Sequence, residues 1–190
     1  MTDSDEALMA AVAGGDREAF GALYRRRRPD VYRFALHMTG VPAAAEDVAQ
    51  DVFLAVIQDA GRYSPSRAAV LAWLLGIARN MARRRMAERT YEPLPDGTGE
   101  PAVHPDPMDG ITRMRQTEAL RRALGTLPEV YREAVVLCDL QELSYQDAAH
   151  VADCAIGTVR SRLHRGRQML AATVRGQRHA FRGWPAPGWL

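Results

Sequence analysis

SYQDAAHVADCAIGTVRSRLHRGRQML, residues 144–170, reads as two short helices joined by a tight turn. The apolar residues of the second helix recur at spacings of three, four and seven and so share one face: Ile156, Val159, Leu163 and Leu170. The opposite face carries Arg160, Ser161, His164 and Arg165. Two helices of this length, the second of them basic, are typical of a helix-turn-helix, whose second helix enters the major groove of DNA. The segment therefore predicts a protein that reads duplex DNA.

Basic charge around the second helix supports the same prediction. From Arg160 to Arg182 the chain has seven arginines and no acidic residue, so this region would attract any polyanion. Thr158 lies at the start of the helix, where its hydroxyl and the free backbone amides can hold a phosphate. The alternative is a surface helix whose arginines are only solvated. The preceding helix argues against that alternative, because its small-residue face lets two helices cross closely: Tyr145, Ala148, Ala149 and Ala152.

Composition limits the class of protein. The chain has 190 residues and a formal net charge of only +2, which suits one or two small domains with segregated charge. Cys138 and Cys154 lack any CxxC or Cys–His spacing, so we expect no zinc site and no disulfide framework. No run approaches the roughly 18 apolar residues that span a bilayer, and the acidic start differs from a secretory signal. We therefore expect a cytoplasmic protein without membrane insertion.

Helical signals alternate with turn residues along the chain, and no strand pattern of period two persists. Ser4 and Asp16 are suited to cap the first two helices, and Pro29 is expected to kink the second. Pro42 suits the first turn of a third helix that ends near Asp59. The fold is therefore predicted to be all-α.

An acidic linker divides these helices into two groups. Residues 92–110 contain five prolines, three glycines, five acidic residues and no lysine or arginine, a composition typical of an extended tether. We predict two small helical bundles joined by this acidic Pro/Gly-rich linker, with the helix-turn-helix in the second bundle. The predicted boundaries are 1–90 for the first bundle, 91–111 for the linker, 112–175 for the second bundle and 176–190 for a tail.

Five blocks of sequence carry a resemblance to a known family. They are DREAFGALYRRRRPDVYRFALHMTG (16–40), AEDVAQDVFLAVI (45–57), AVLAWLLGIARNMARRR (69–85), LPEVYREAVVLCDLQELSYQDAA (127–149) and GTVRSRLHRGRQ (157–168). In this order and separation they resemble domains 2 and 4 of the extracytoplasmic-function group of bacterial sigma-70 factors. One departure lies in the turn of the helix-turn-helix, where Asp153 stands in place of the usual glycine. Aspartate tolerates the left-handed backbone conformation better than most residues, so we expect the turn to form.

The resemblance implies a transcription initiation factor without catalytic chemistry, cofactor or metal. Its partners would be core RNA polymerase, promoter DNA and an anti-sigma factor. The polymerase contacts implied are the clamp helices of the beta-prime subunit, through the first bundle, and the beta flap. Acidic residues on one face of the 45–57 helix, together with two apolar neighbours, would dock on the clamp helices: Asp47, Gln50, Asp51, Phe53 and Leu54.

The resemblance also assigns DNA contacts to both bundles. The minus-10 strand would be captured by the segment from residue 61 to residue 85, through Arg62, Tyr63, Ser64, Trp73, Arg79, Asn80, Arg83 and Arg84. From the residues alone, a tryptophan among leucines is more often part of a core. Two roles therefore stay open for Trp73, core packing and contact with a base. The minus-35 element would be read by the second bundle, through Thr158, Arg160, Ser161, Arg162, His164, Arg165 and Arg167.

Two other classes of function were weighed. A stand-alone helix-turn-helix regulator would bind operator DNA as a dimer, with the first bundle as an effector or dimerisation domain. That hypothesis leaves the blocks at 45–57 and 69–85 unexplained. An enzyme with a DNA-binding appendage would need a phosphate-binding glycine loop, a metal-ligand cluster or a nucleophilic triad, and none is evident in the sequence.

Overall fold

The structure is a computed structural model, and it describes residues 4–89 and 109–176. The described residues form eight α-helices and two short helical turns, without a β-strand, so the all-α prediction is confirmed. No described helix combines the length and the apolar character needed to cross a membrane. The predicted tail from residue 177 onwards, and the predicted linker up to residue 108, lie outside the described residues.

Four helices build the first bundle. They are α1 (Asp5–Ala13), α2 (Arg17–Thr39), α3 (Pro42–Asp59) and α4 (Val70–Arg89), with a 3-10 turn (Ala60–Arg62) after α3. The Ser4 side chain accepts a hydrogen bond from the Ala7 amide, and Asp16 accepts from the amides of Glu18 and Ala19. Gly40 ends α2 in the left-handed conformation, with a φ of 71°. The predicted starts of α1, α2 and α3 are thus confirmed. Pro29 lies inside α2, which runs as one helix from end to end.

The core of the first bundle lies between α2, α3 and α4. Leu23 and Phe34 of α2, Val52 of α3 and Leu74 of α4 are fully buried in it. The Asp5 carboxylate joins α1 to α2 through ion pairs with Arg26 and Arg27. Packing in this core positions α3 and α4, the two helices with predicted polymerase and DNA residues.

The second bundle contains the helix-turn-helix. It comprises α5 (Asp109–Gly125), α6 (Glu129–Val135), which continues into a π-helical turn (Val136–Leu140), α7 (Tyr145–Ala152) and α8 (Ile156–Gly176). Asp153 closes α7 with φ 49° and ψ 55°, so the expected left-handed turn forms without glycine. The helix-turn-helix is therefore built from α7 and α8.

The predicted apolar face of α8 is confirmed except at its start. Val159, Leu163 and Leu170 are each 2% exposed and pack into the core. The prediction for Ile156 was wrong, because this side chain is 40% exposed. Ile156 is the first residue of α8 and lines a cleft between α4 and α7. The spacing of apolar residues places Ile156 on the apolar face of α8. The first turn of α8 lies at the edge of the core, however, so Ile156 faces the cleft.

Candidate nucleic-acid interface

The first half of α8 presents a polar and basic face to solvent. Arg160, Ser161, His164 and Arg165 are all exposed, while Val159 and Leu163 anchor the same turns of helix in the core. Since residues four apart lie one turn apart, the four exposed side chains form a continuous stripe. The structure therefore brings together four of the seven predicted minus-35 residues on one accessible face.

Two side-chain contacts order this stripe. The Arg160 guanidinium lies over the ring of Tyr145 on α7, with 5.6 Å between the guanidinium carbon and the ring centroid. The His164 Nε2 lies 3.0 Å from the Gln168 amide nitrogen. Tyr145 is thus a neighbour of this stripe, whereas the sequence analysis assigned it only to helix packing. Its aromatic ring at the first position of α7, within the helix-turn-helix, was the signal that could have indicated this.

The other three predicted minus-35 residues face inward to different extents. Thr158 is half-buried, and its carbonyl accepts a hydrogen bond from the Ser161 hydroxyl at 3.0 Å. Arg162 contacts the Cys154 sulfur at 3.8 Å. The Arg167 guanidinium makes a two-point contact with Asp139, at 3.0 and 2.6 Å. Of these contacts, the pair of Arg167 with Asp139 joins α8 to the π-helical turn after α6, and the other two lie within the helix-turn-helix.

The outer face of α3 is exposed to solvent, and an arginine of α4 neutralises part of its negative charge. Asp47 and Gln50 are exposed, and Leu54 is 50% exposed. Arg85 of α4 donates to Asp47 at 3.2 Å and to Asp51 at 3.1 Å. Sequence reasoning gave Arg85 no role, since the run of arginines that ends α4 shows charge but not the partner.

Phe53 differs from its predicted neighbours on α3. It is 2% exposed, and its ring lies 4.9 Å from that of Tyr24 and 6.3 Å from that of Phe20. In this arrangement Phe53 packs α3 onto α2, and only Leu54 of the two predicted apolar contacts faces solvent.

The loop before α4 places the aromatic residues of the predicted minus-10 site together. The Tyr63 and Trp73 rings meet edge to face, with centroids 5.8 Å apart. The Tyr63 hydroxyl donates to the Ala68 carbonyl at 3.1 Å, and burial raises the pKa of Tyr63. Arg62 pairs with Asp59 at 3.2 Å, and Ser64 lies 2.9 Å from the Ser66 hydroxyl. Trp73 is half-buried, so it combines core packing with an accessible edge.

The predicted minus-10 residues of α4 differ in exposure and in partners. Asn80, Arg83 and Arg84 are exposed, whereas Arg79 is partly buried. Arg83 pairs with Glu129 at 2.7 Å, and Arg79 pairs with Glu133 at 2.5 Å. Both glutamates belong to α6 of the second bundle, and sequence reasoning missed both. A cleft of about 720 Å³ lies between α4 and α7. Its lining includes Trp73, Ile77, Asn80, Ala149, His150 and Ile156.

Comparison with known proteins identifies the family. The model of Sigma-70 region 2 matches residues 23–90, and that of Sigma-70, region 4 matches residues 117–170. The ECF RNA polymerase sigma factor SigE of Mycolicibacterium smegmatis is 38% identical over 177 residues, which cover 88% of this chain and 68% of that protein. The chain belongs to the ECF sigma factors. It is therefore a transcription initiation factor and not an enzyme.

Other relatives agree with this membership. The ECF RNA polymerase sigma factor SigM of Mycobacterium tuberculosis is 37% identical over 171 residues, covering 88% of this sigma factor and 83% of the relative. Among solved structures, CnrH in complex with the cytosolic domain of CnrY matches with a TM-score of 0.69 and 26% identity, covering 92% of this chain and 99% of that one. The sigma factor RpoE in complex with the anti-sigma factor NepR, from Bartonella quintana, matches with a TM-score of 0.64 and 26% identity, covering 78% and 91%.

Proposed function

We propose that this sigma factor reads the minus-35 element with the exposed face of α8 and captures the minus-10 strand with α4 and the loop before it. The observation that carries the proposal is the solvent-facing stripe Arg160, Ser161, His164 and Arg165 on a helix whose other face is anchored in the core. Arginine can donate two hydrogen bonds to a guanine edge in the major groove, so such a stripe is suited to sequence reading. We assign polymerase and minus-10 binding to residues 1–90 and minus-35 binding to residues 112–175.

Core polymerase is proposed to bind the outer face of α3. Asp47, Gln50 and Asp51 would orient the contact electrostatically, and Leu54 would supply apolar area to the beta-prime clamp helices. Arg85 holds two of these carboxylates in the free chain, so binding would exchange one set of ion pairs for another. Phe53 would act through its packing on α2, which fixes the position of α3.

Strand capture is proposed to depend on the aromatic pair and on the polar side chains that follow it. A base leaves the duplex stack at a cost of a few kcal/mol, so a site that holds the unstacked base couples recognition to opening without ATP. Trp73 and Tyr63 would border the base, and Asn80 would bond its edge. Arg62, Ser64, Arg79, Arg83 and Arg84 would bind the backbone of the strand.

An anti-sigma factor is the proposed regulator, and the cytoplasm the proposed location. CnrH and the Bartonella RpoE, both matched in fold, were solved with CnrY and with NepR respectively. Promoter DNA and polymerase are in the cytoplasm of bacteria. The stand-alone dimeric regulator is not favoured, because the region 2 match accounts for the first bundle.

The function is tested first by transcription. Core polymerase is supplied with the full chain, and transcript starts on genomic DNA are sequenced with and without it. We expect a set of new start sites that share minus-35 and minus-10 sequences. If no start site depends on the chain, the proposal is wrong.

The reading face is tested by selection of randomised minus-35 sequences with holoenzyme. Arg160→Ala and Arg165→Ala are expected to change the preferred bases, since a base-edge arginine contributes about 1 to 3 kcal/mol of discrimination. Arg167→Ala is predicted to weaken binding to all sequences alike. Because Arg167 pairs with Asp139, the thermal unfolding of the Arg167→Ala variant is measured as well, to detect a loss of stability.

The matched control is Arg175→Ala, which removes an exposed arginine from the far end of α8. We expect it to leave the base preference unchanged. If Arg160→Ala and Arg165→Ala keep the wild-type preference and lose only salt-sensitive affinity, both residues contact the DNA backbone and do not read bases.

A further inference from the structure

Tyr145 carries an aromatic ring that the core of the second bundle leaves largely in solvent. It is the first residue of α7 and is 40% exposed. The residues of α7 that pack into the core are Ala148, Ala149, Val151 and Ala152. A ring with this exposure adds little to the core, so its contacts at the surface define what it does.

The start of α7 holds this ring in a defined place. The Ser144 hydroxyl oxygen accepts a hydrogen bond from the Asp147 amide at 3.0 Å, and the hydroxyl donates to the Asp147 carboxylate at 2.6 Å. The Ala148 amide donates to the Ser144 carbonyl at 2.8 Å. A capped first turn of this kind resists fraying, so the backbone that carries Tyr145 is ordered.

The ring lies against Arg160, which belongs to the exposed stripe on α8. The guanidinium carbon is 5.6 Å from the ring centroid, within the range of a cation–π contact. Arg160 is exposed, and within residues 4–89 and 109–176 it has no carboxylate partner. Arg167 differs, because two of its nitrogens bond to Asp139. A ring holds a guanidinium without offering an oxygen acceptor, so the N–H groups of Arg160 stay available to DNA.

An arginine that is oriented before binding is better suited to read bases than a mobile one. An arginine side chain loses rotamer freedom when it binds, and a contact that exists beforehand reduces this cost. The gain is realised where a base edge offers acceptors in the right place, as the O6 and N7 atoms of guanine do. A mobile guanidinium can turn instead to a phosphate, which carries no sequence information. The ring contact therefore adds to discrimination more than to general affinity.

We propose that Tyr145 is a positioning residue for promoter reading, whose ring orients the Arg160 guanidinium towards the base edges of the minus-35 element. The proposal rests on the reading role given above to Arg160. The ring acts through Arg160 and needs no base contact or hydroxyl of its own. Specificity thus depends on both helices of the helix-turn-helix, because α8 supplies the reading group and α7 supports it.

The test uses the full chain in holoenzyme and competition among minus-35 sequences that differ at single positions. Arg160→Ala first identifies the position at which Arg160 sets the preferred base. At that position we expect Tyr145→Leu to lower the preference about two- to fivefold, which corresponds to the strength of an exposed cation–π contact. The preferences at the other positions should not change.

Two further changes at residue 145 separate the ring from the hydroxyl. Tyr145→Phe keeps the ring and should retain the wild-type preference. Tyr145→Trp supplies the ring that attracts cations most strongly and should retain or increase the preference. Gln146→Leu, at the next exposed position of α7, is the matched control and should leave every preference unchanged.

A double variant tests whether Tyr145 acts through Arg160. Adding Tyr145→Leu to Arg160→Ala should cause no further loss of preference, since the contact is already absent. A further loss, an equal weakening of all sequences by Tyr145→Leu, or the same loss with Tyr145→Phe would overturn the proposal, because each would mean that Tyr145 contacts the DNA itself. Thermal unfolding checks that the variants fold, and Tyr145→Gln, which also lacks the ring, replaces Tyr145→Leu if that variant does not.

The same data separate this proposal from the proposed function. If Arg160→Ala changes no base preference, the reading role of Arg160 is wrong and the role of Tyr145 falls with it. If Arg160→Ala changes the preference and Tyr145→Leu does not, the reading role stands and only the support by Tyr145 is wrong.

Discussion

His37 on α2 is held neutral in the folded chain. Burial, with the charges of Arg121 and Arg33, lowers the pKa of His37 from 6.5 to about 4. Its Nδ1 has no hydrogen-bond partner among residues 4–89 and 109–176. The unfolded chain therefore takes up this proton at a higher pH than the folded chain does.

We expect the free energy of unfolding to fall by about 2 kcal/mol through His37 between roughly pH 7 and pH 4.5. The unfolded state binds more protons in this window, so acid favours unfolding, and the loss levels off below the folded pKa. Urea unfolding of wild type and of His37→Gln measures the effect, and the variant should depend less on pH. His150→Gln, at an exposed position, is the control. Parallel pH profiles for wild type and His37→Gln would contradict the prediction.

Single residues show what the sequence could assign and what it could not. Periodicity placed Arg160 and Asp47 on exposed faces because residues three and four apart share a helical face. Phe53 has the spacing of the other buried residues of α3, so periodicity places it on the buried face, although the resemblance implied a polymerase contact for it. Its partners in the core, the rings of Tyr24 and Phe20, are distant in sequence and carry no local signal.

At the scale of elements, α8 packs closely against α6 at Gly166. A Cβ at this position would lie 2.7 Å from a methyl carbon of Val135 and 2.9 Å from the Tyr131 carbonyl oxygen. Neither distance is compatible with an ordinary contact, and backbone cannot move aside as a flexible side chain can. Gly166 thus sets the distance between the two helices.

Gly166→Ala is expected to destabilise the second bundle by about 1 to 3 kcal/mol, because it overpacks the contact with α6. Thermal unfolding of the full chain measures this loss. Gly157→Ala is the control in the same helix, since its Cβ would meet no atom within 4 Å. A Gly166→Ala variant as stable as wild type would show that α6 and α8 can separate without cost.

Helix boundaries were predictable where local signals mark them. The bounds of α3 follow from Pro42 at its first turn and from the turn residues after Asp59. The left-handed Asp153 was also predictable, from the tolerance of aspartate for that conformation. The π-helical turn after Val135 and the exposure of Ile156 were not, because both depend on how α6 and α7 meet their neighbours.

At the scale of the whole molecule, contact between the bundles limits what the free chain can bind. Without polymerase, we expect a duplex with both promoter elements to bind no more than about twofold tighter than one with the minus-35 element alone. Binding of the second element strengthens binding of the first only when the geometry lets both engage at once. Fluorescence anisotropy with the mapped promoter measures both affinities. Binding about tenfold tighter to the two-element duplex would contradict this prediction.

Contact between the bundles could not be predicted from the sequence. Arg79 and Glu133 are 54 positions apart, and neither carries a local signal that it pairs with the other. Each bundle also shows its own periodicity and caps, which describe it equally well alone. Only the packing of α4 on α7 reveals that a residue implied to bind DNA has a protein partner.

The apolar side chains on the outer face of α3 bear on how the isolated protein behaves in a test tube. Leu54 and Ile57, three positions apart, are 50% and 59% exposed. Neighbouring apolar groups in water favour contact between molecules, and the tendency increases with concentration. We therefore expect the isolated sigma factor to self-associate at high concentration. Coexpression with core polymerase, which we propose binds this face, would reduce the self-association.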